Sequence, residues 1–212
     1  MIRTVAAFVL LSGLALPGLP SALSAESCTR QSLGQTADLY LAALKQGAPS
    51  LMPLAPGAKY IENRKATAFG EGIWSSPLKV DFSRSLLDVD ICETFTEIIS
   101  ANTDHPYVIG TRLKLLDGAI AEVESLVSDK DDWLFDADSY LKYSSTEKWD
   151  ILPPEKRSDR QTLIRVASDY FDIFEDYAAF DRVPWGIPCV RIEGGAYTNP
   201  KNDPNPSYTA GV

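Results

Sequence analysis

KVDFSRSLLDVDICETFTEIISANTDHPYVIGTRLKLLDGAIAEVESLVS, residues 79–128, contains four runs of strand length rich in Val, Ile, Thr and Phe: 79–88, 91–100, 107–116 and 119–128. Their connections are short. Asp117-Gly118 between the last two is a strong hairpin signal, and the turn residues from Asn102 to Pro106 separate the middle two. The block therefore predicts an antiparallel meander with alternating faces. In its second run Cys92, Thr94, Thr96 and Ile98 oppose Glu93, Phe95, Glu97 and Ile99. In its fourth, Ile120, Glu122, Glu124 and Leu126 oppose Ala121, Val123, Ser125 and Val127. The face that gathers small and apolar side chains is the one expected against a helix.

That helix lies upstream. Leu33, Ala37, Tyr40, Leu41 and Leu44 recur at helical spacing and stop at Gly47. The same pattern returns in residues 160–174, RQTLIRVASDYFDIF, which repeats residues 30–44, RQSLGQTADLYLAAL. Arg30 aligns with Arg160, Leu33 with Leu163, Ala37 with Ala167 and Tyr40 with Tyr170. One residue later in register, Pro53 falls on Pro184 and Ile61-Glu62-Asn63 on Ile192-Glu193-Gly194. Ser158 and Gln161 supply a capping box for the second helix. Between helix and meander, residues 58–63 read as a strand or a rim loop, and Gly70 and Gly72 bracket the entry to Ile73-Trp74. Residues 129–149 are acidic and aromatic and read as a solvated edge. No meander follows the second helix, so that copy is incomplete and must pack on the first.

Composition narrows the function. Residues 1–25 carry one basic residue, an apolar run from Val5 to Leu16, and a small-residue end at Ala25, the pattern of a secretory signal peptide. Pro17, Gly18 and Pro20 interrupt the run before the ~20 apolar residues of a membrane span. The net charge is −9, and −10 once Arg3 leaves with the leader. With no clustered basic patch, nucleic acid is excluded as a non-specific partner. Export places Cys28, Cys92 and Cys189 in an oxidising compartment, where one disulfide and one remaining thiol are expected. Arithmetic does not fix the pairing. Cys28 with Cys92 is favoured, because it would pin the first helix to a strand. With one histidine and no CxxC or HxxxH, a zinc or iron centre is not expected, and no other cofactor motif is present.

The candidate site residues follow from chemistry. Arg84 sits in an apolar strand and must find a partner or a ligand, with Asp88 or Glu62 in reach of the reading. His105 is the only side chain whose ordinary pKa lies near neutrality, which nominates it as general acid or base. Its place before Pro106 in a turn argues for a surface role instead. Glu62 and Glu97 are alternative bases if buried. Tyr40 reads as core with a hydroxyl seeking a partner. Trp74, Trp133 and Phe135 read as core or pocket wall. Arg84, Glu62 and His105 are thus the catalytic candidates, and Tyr40, Trp74, Asp88, Glu97, Trp133 and Phe135 the binding candidates.

One helix, a proline-broken excursion and a long meander resemble the nuclear transport factor 2-like (NTF2-like, or SnoaL-like) fold, an α+β cone-shaped barrel in which a curved antiparallel sheet wraps a helix. More specifically, KYIEN (59–63), RSLLD (84–88), CETFT (92–96), HPYVIGT (105–111), DWLF (132–135) and PWGIPCVRIEGGAYT (184–198) resemble a fungal secreted family of unknown function. Members of that family continue past Gly-Ala-Tyr-Thr with another cysteine, where Tyr208 stands here. The resemblance implies an NTF2-like unit over residues 26–150, a partial second repeat over 151–198 and an irregular tail over 199–212. It also implies a pocket for a small, largely apolar molecule, and a homodimer formed over the open sheet face. An enzyme of this kind would be a cofactor-free cyclase or isomerase of secondary metabolism, of the pericyclase or hetero-Diels-Alder type. The alternative is a non-catalytic extracellular binding or structural protein.

Overall fold

The computed structural model describes residues 28–186, 189 and 191–198; the expected leader and the tail lie outside them. The meander forms as β3 (Phe82–Asp88), β4 (Glu93–Ser100), β5 (Tyr107–Leu116) and β6 (Ala119–Ser128), each antiparallel to the next. Asp117 and Gly118 join the last two with φ of 51° and 78°, the left-handed pair that a two-residue hairpin turn requires. Residues 58–63 belong to a strand: β1 (Leu54–Glu62) runs parallel to β6, and β2 (Lys65–Thr67) folds back on it through Asn63 and Arg64. The result is one curved six-stranded mixed sheet in the order β2-β1-β6-β5-β4-β3.

Helix α1 (Arg30–Gln46) crosses one face of that sheet, here called the inner face. Thr29 caps its start by accepting a hydrogen bond from the Ser32 amide. Gly47 closes its end at φ 59°, packed so tightly that an added Cβ would stand 2.9 Å from the Pro77 nitrogen. Leu33, Tyr40 and Leu44 bury against Ile98, Leu113 and Val123, which form the main core. A disulfide joins Cys28, just ahead of α1, to Cys92 at the entry to β4.

Strict alternation fails once in β6. The pairing steps from Lys114–Glu122 to Leu115–Ile120, so Ala121 is an extra residue, and Ile120 turns to the same face as Val123. Both are fully buried, where the unbroken pattern set Ile120 opposite Val123. Helix, excursion strand and antiparallel meander thus follow one another in an α+β arrangement, with a curved sheet wrapped against a helix, as expected from the sequence.

Residues 129–149, expected as a solvated edge, contain α2 (Ala137–Ser144). Asp136 caps it through the Ser139 amide. Ala137 with Tyr140 and Leu141 packs on Ile99, Phe82 and Val108, on the face of the sheet away from α1. The apolar spacing of Ala137, Tyr140 and Leu141 was hidden among acidic neighbours. Helix α3 (Arg160–Asp172) is capped by Asp159, which accepts from the Thr162 amide; the expected Ser158–Gln161 box does not form. No residue of α3 is buried, and its apolar stripe stands open at Leu163 (59% exposed) and Phe171 (70%). Tyr170 instead joins Ile173, Ala179, Val183 and Trp185 in a small separate cluster.

The second copy keeps its hairpin. β7 (Ile192–Glu193) pairs with β8 (Ala196–Tyr197) as Ile192–Tyr197 and Glu193–Ala196, the register of Ile61–Ala66 and Glu62–Lys65 in the first copy. Gly194 and Gly195 make its turn at φ 60° and 117° and press on the backbone of residues 133–136. There the Asp136 amide donates to the Gly194 carbonyl at 2.5 Å, and no Cβ would fit at either glycine.

Candidate functional site

The nine candidate residues separate into four places. Tyr40, Glu62 and Trp74 meet inside the cone, because α1, β1 and the 3₁₀ turn Gly72–Trp74 all face the inner side of the sheet. The Tyr40 hydroxyl donates to Thr111 Oγ1 at 2.7 Å, and Thr111 pairs with Ser125 at 2.8 Å. Glu62 accepts from the Tyr60 hydroxyl and from the Ile73 amide, the latter at 3.0 Å; a side chain at Gly72 would run into its carboxylate. Burial first, and for Tyr60 then the Glu62 carboxylate, pushes the Tyr40 and Tyr60 hydroxyls well above the usual tyrosine range. The rings of Tyr40, Tyr60, Phe69 and Trp74 fill the space around this polar chain edge to face and stacked. The Trp74 indole N–H is buried there without a partner.

His105 stands at the rim and is half exposed. Its Nε2 lies 3.2 Å from Asp129 Oδ2, and its Nδ1 lies 3.1 Å from the Tyr107 hydroxyl, with the two rings tilted at 31° and their centroids 4.6 Å apart. Trp133 and Phe135 fall on the segment leading to α2. Trp133 is 67% exposed, while Phe135 packs beneath α2 and bridges to Gly195.

Arg84, Asp88 and Glu97 lie on the outer face, opposite α1. Strand pairing sets Arg84 directly across from Glu97, and its Nη2 reaches Glu97 Oε2 at 2.5 Å. Its second partner is Glu147 at 2.9 Å, and its guanidinium lies 4.0 Å from the Trp149 ring centroid. The expected partners Asp88 and Glu62 do not meet it: Glu62 is on the inner side, and Asp88 binds Arg160 at 2.7 Å. That contact, through its hydrogen bond first, holds the Asp88 carboxyl below the usual range.

Around these residues the outer face opens into two adjoining cavities. One, of about 510 Å³, has apolar walls from Leu86, Leu87, Val89, Ile91 and Phe95, with Arg112 and Arg160 at its edges. The other, of about 250 Å³, lies between Arg84, Glu97, Val108, Tyr140 and Trp149. Burial first, and then Glu97, push the Tyr140 hydroxyl up to about 12. Every guanidinium of the groove is matched: Arg84 to Glu97 and Glu147, Arg112 to Glu93, Glu122 and Glu124, Arg160 to Asp88 and Asp90. Tyr140, Trp149, Phe95, Arg112 and Arg160 escaped the sequence reading. For Phe95 and Arg112 a signal existed, since alternation along paired strands sets them on one face with Leu86. For Trp149 and Arg160 none did, since they reach the groove from beyond the meander. Among the described residues no group of acidic, histidine or cysteine side chains is arranged to hold a metal ion. No described helix is long and apolar enough to cross a membrane.

Residues 156–211 match the model of a family described as Domain of unknown function (DUF8021), a stretch that holds α3 and the second hairpin but none of the six-stranded sheet. No curated protein matches the chain. Three solved structures align loosely. AclR from Streptomyces galilaeus, assigned as a hydroxylase, is 10% identical with a TM-score of 0.35, over 47% of this chain and 91% of that one. A protein from Kribbella flavida DSM 17836, assigned as a ketosteroid isomerase, is 14% identical with a TM-score of 0.37, over 61% and 90%. A protein of unknown function with a cystatin-like fold from Methylobium petroleophilum PM1 is 13% identical with a TM-score of 0.39, over 62% and 99%. These likenesses are too loose to bear on activity, and the fold rests on the element order and strand register described above.

Proposed function

We propose that the protein is exported and binds a small, neutral, largely apolar molecule in the groove on the outer face of its sheet. The observation that carries this reading is the placement of open space. Beneath α1 the rings of Tyr40, Tyr60, Phe69 and Trp74 lie against one another, whereas about 510 Å³ with aliphatic and aromatic walls lies open on the opposite face, within the size of small-molecule sites. Because each groove guanidinium already faces carboxylates, the ligand's polar group is a hydroxyl or carbonyl rather than a charge. The Cys28–Cys92 bridge fits an oxidising compartment. The neutral fluorescent probe phenylnaphthylamine tests the reading: saturable uptake is expected for the wild-type protein and its loss for Phe95→Asp. Equal uptake by that variant, or none by the wild type, overturns it.

A second reading, a cofactor-free cyclase or isomerase working inside the cone, has one observation in its favour. Tyr40, Tyr60, Glu62 and the unpartnered Trp74 N–H bring four polar groups to one enclosed place. Replacing Glu62 with Gln in a producing host separates the two. Loss of a metabolite with an unchanged protein level supports catalysis, and an unchanged metabolite profile removes it.

A further inference from the structure

We infer that Phe95, laid across Gly110, sets the length of molecule that the outer groove accepts; the inference rests on the binding reading above. The two cavities share only Leu86 and Phe95 among their walls. These two residues are directly paired across β3 and β4, so their side chains stand side by side as a ridge between the compartments. Both tops are open, at 48% and 45% exposure, and meet a ligand rather than the core.

The ridge depends on a missing side chain. A Cβ at Gly110 would lie 2.9 Å from Phe95 Cζ and 3.2 Å from Cε2, so the ring rests on the bare backbone of β5. Gly110 has no positive φ, and its backbone conformation is one that alanine adopts. Its lack of a side chain therefore serves the close approach of the ring, an aromatic residue of one strand covering a glycine of the next. With the ring in place, a molecule bound in the larger compartment ends at Phe95. With the ring removed, the two spaces become one trough running from Ile91 toward Arg84.

The ligand class follows from the walls: a hydrocarbon body of limited length with one neutral hydroxyl or carbonyl end. A homologous series of straight-chain alcohols from butanol to dodecanol, measured by calorimetry, reads the ridge directly. In the wild type each added methylene that finds an apolar wall tightens binding about fourfold, and the gain stops where the chain meets Phe95. Phe95→Ala moves that break to longer chains by several methylenes. Gly110→Ala removes no apolar atom and displaces only the ring, so it also moves the break. Near-ultraviolet circular dichroism identifies any variant that fails to fold, and each of the two substitutions is a separate test. Binding with a break that stays fixed in either folded variant overturns this inference and leaves the binding reading standing. A wild type that binds none of the series overturns both.

Discussion

Tyr40 is the residue at which core and polar chemistry meet. Its ring is fully buried between α1 and the sheet, and its hydroxyl finds Thr111, 71 residues away, which in turn holds Ser125. Tyr40→Phe removes the donor and leaves Thr111 with Ser125 alone, so a loss of about 1 kcal/mol in urea unfolding is expected. The buried hydroxyls also set an alkaline limit. Tyr40, Tyr60 and Tyr140 ionise in the folded protein only well above the ordinary value of 10.0. In the unfolded chain they ionise near 10.0, so the folded state holds more protons above that pH. Stability is then complete below pH 10 and falls as pH rises beyond it, with phenolate absorbance appearing together with unfolding. Phenolate that titrates near pH 10 for all three in a folded protein would contradict this. The apolar stripe made Tyr40 legible as a core residue in the sequence, but Thr111 was not legible as its partner. Only the strand pairing brings position 111 beneath the helix.

Helix α1 and helix α3 share a pattern and not an environment. Leu33 is fully buried, and its counterpart Leu163 is mostly exposed. Leu33→Ala should therefore cost about 2–5 kcal/mol, and Leu163→Ala no more than about 0.5 kcal/mol, in the same denaturant titration. Equal costs would show that the two helices are packed alike in solution. Propensity and periodicity revealed both helices and four strands because those signals are local. Helix α2 was concealed because its short apolar face, Ala137 to Leu141, is embedded in aspartates that read as a solvated edge. The bulge at Ala121 was concealed for a different reason: a register step is decided by two strands together, and neither strand's own alternation records it.

At the scale of the whole molecule, the Cys28–Cys92 bridge closes a loop with a sequence separation of 64 and fastens the start of α1 to the sheet. Chain entropy alone assigns such a closure about 4 kcal/mol, so Cys28→Ala with Cys92→Ala should lower unfolding stability by about that amount. A double variant as stable as the parent would mean that packing alone holds the helix in place. The bridge could be favoured from sequence because it joined two elements already read. The outer groove could not, since its walls come from the meander, from α2 and from chain beyond both, and no linear pattern announces that they adjoin. Arg84, read as a charge in need of company, pairs with Glu97 and Glu147 rather than with the expected Asp88 or Glu62, and Glu147 and Trp149 lay in a stretch with no periodic signal. The two hairpins, 61–66 and 192–197, hold one register within a single chain but live under unequal constraint. The first is exposed from Asn63 to Ala66, whereas the second is partly buried, with Gly194 and Gly195 set against the backbone of residues 133–136. A side chain added at the first turn meets solvent, and one added at the second meets another stretch of main chain. The shorter, later copy of the outline is therefore the less forgiving of substitution.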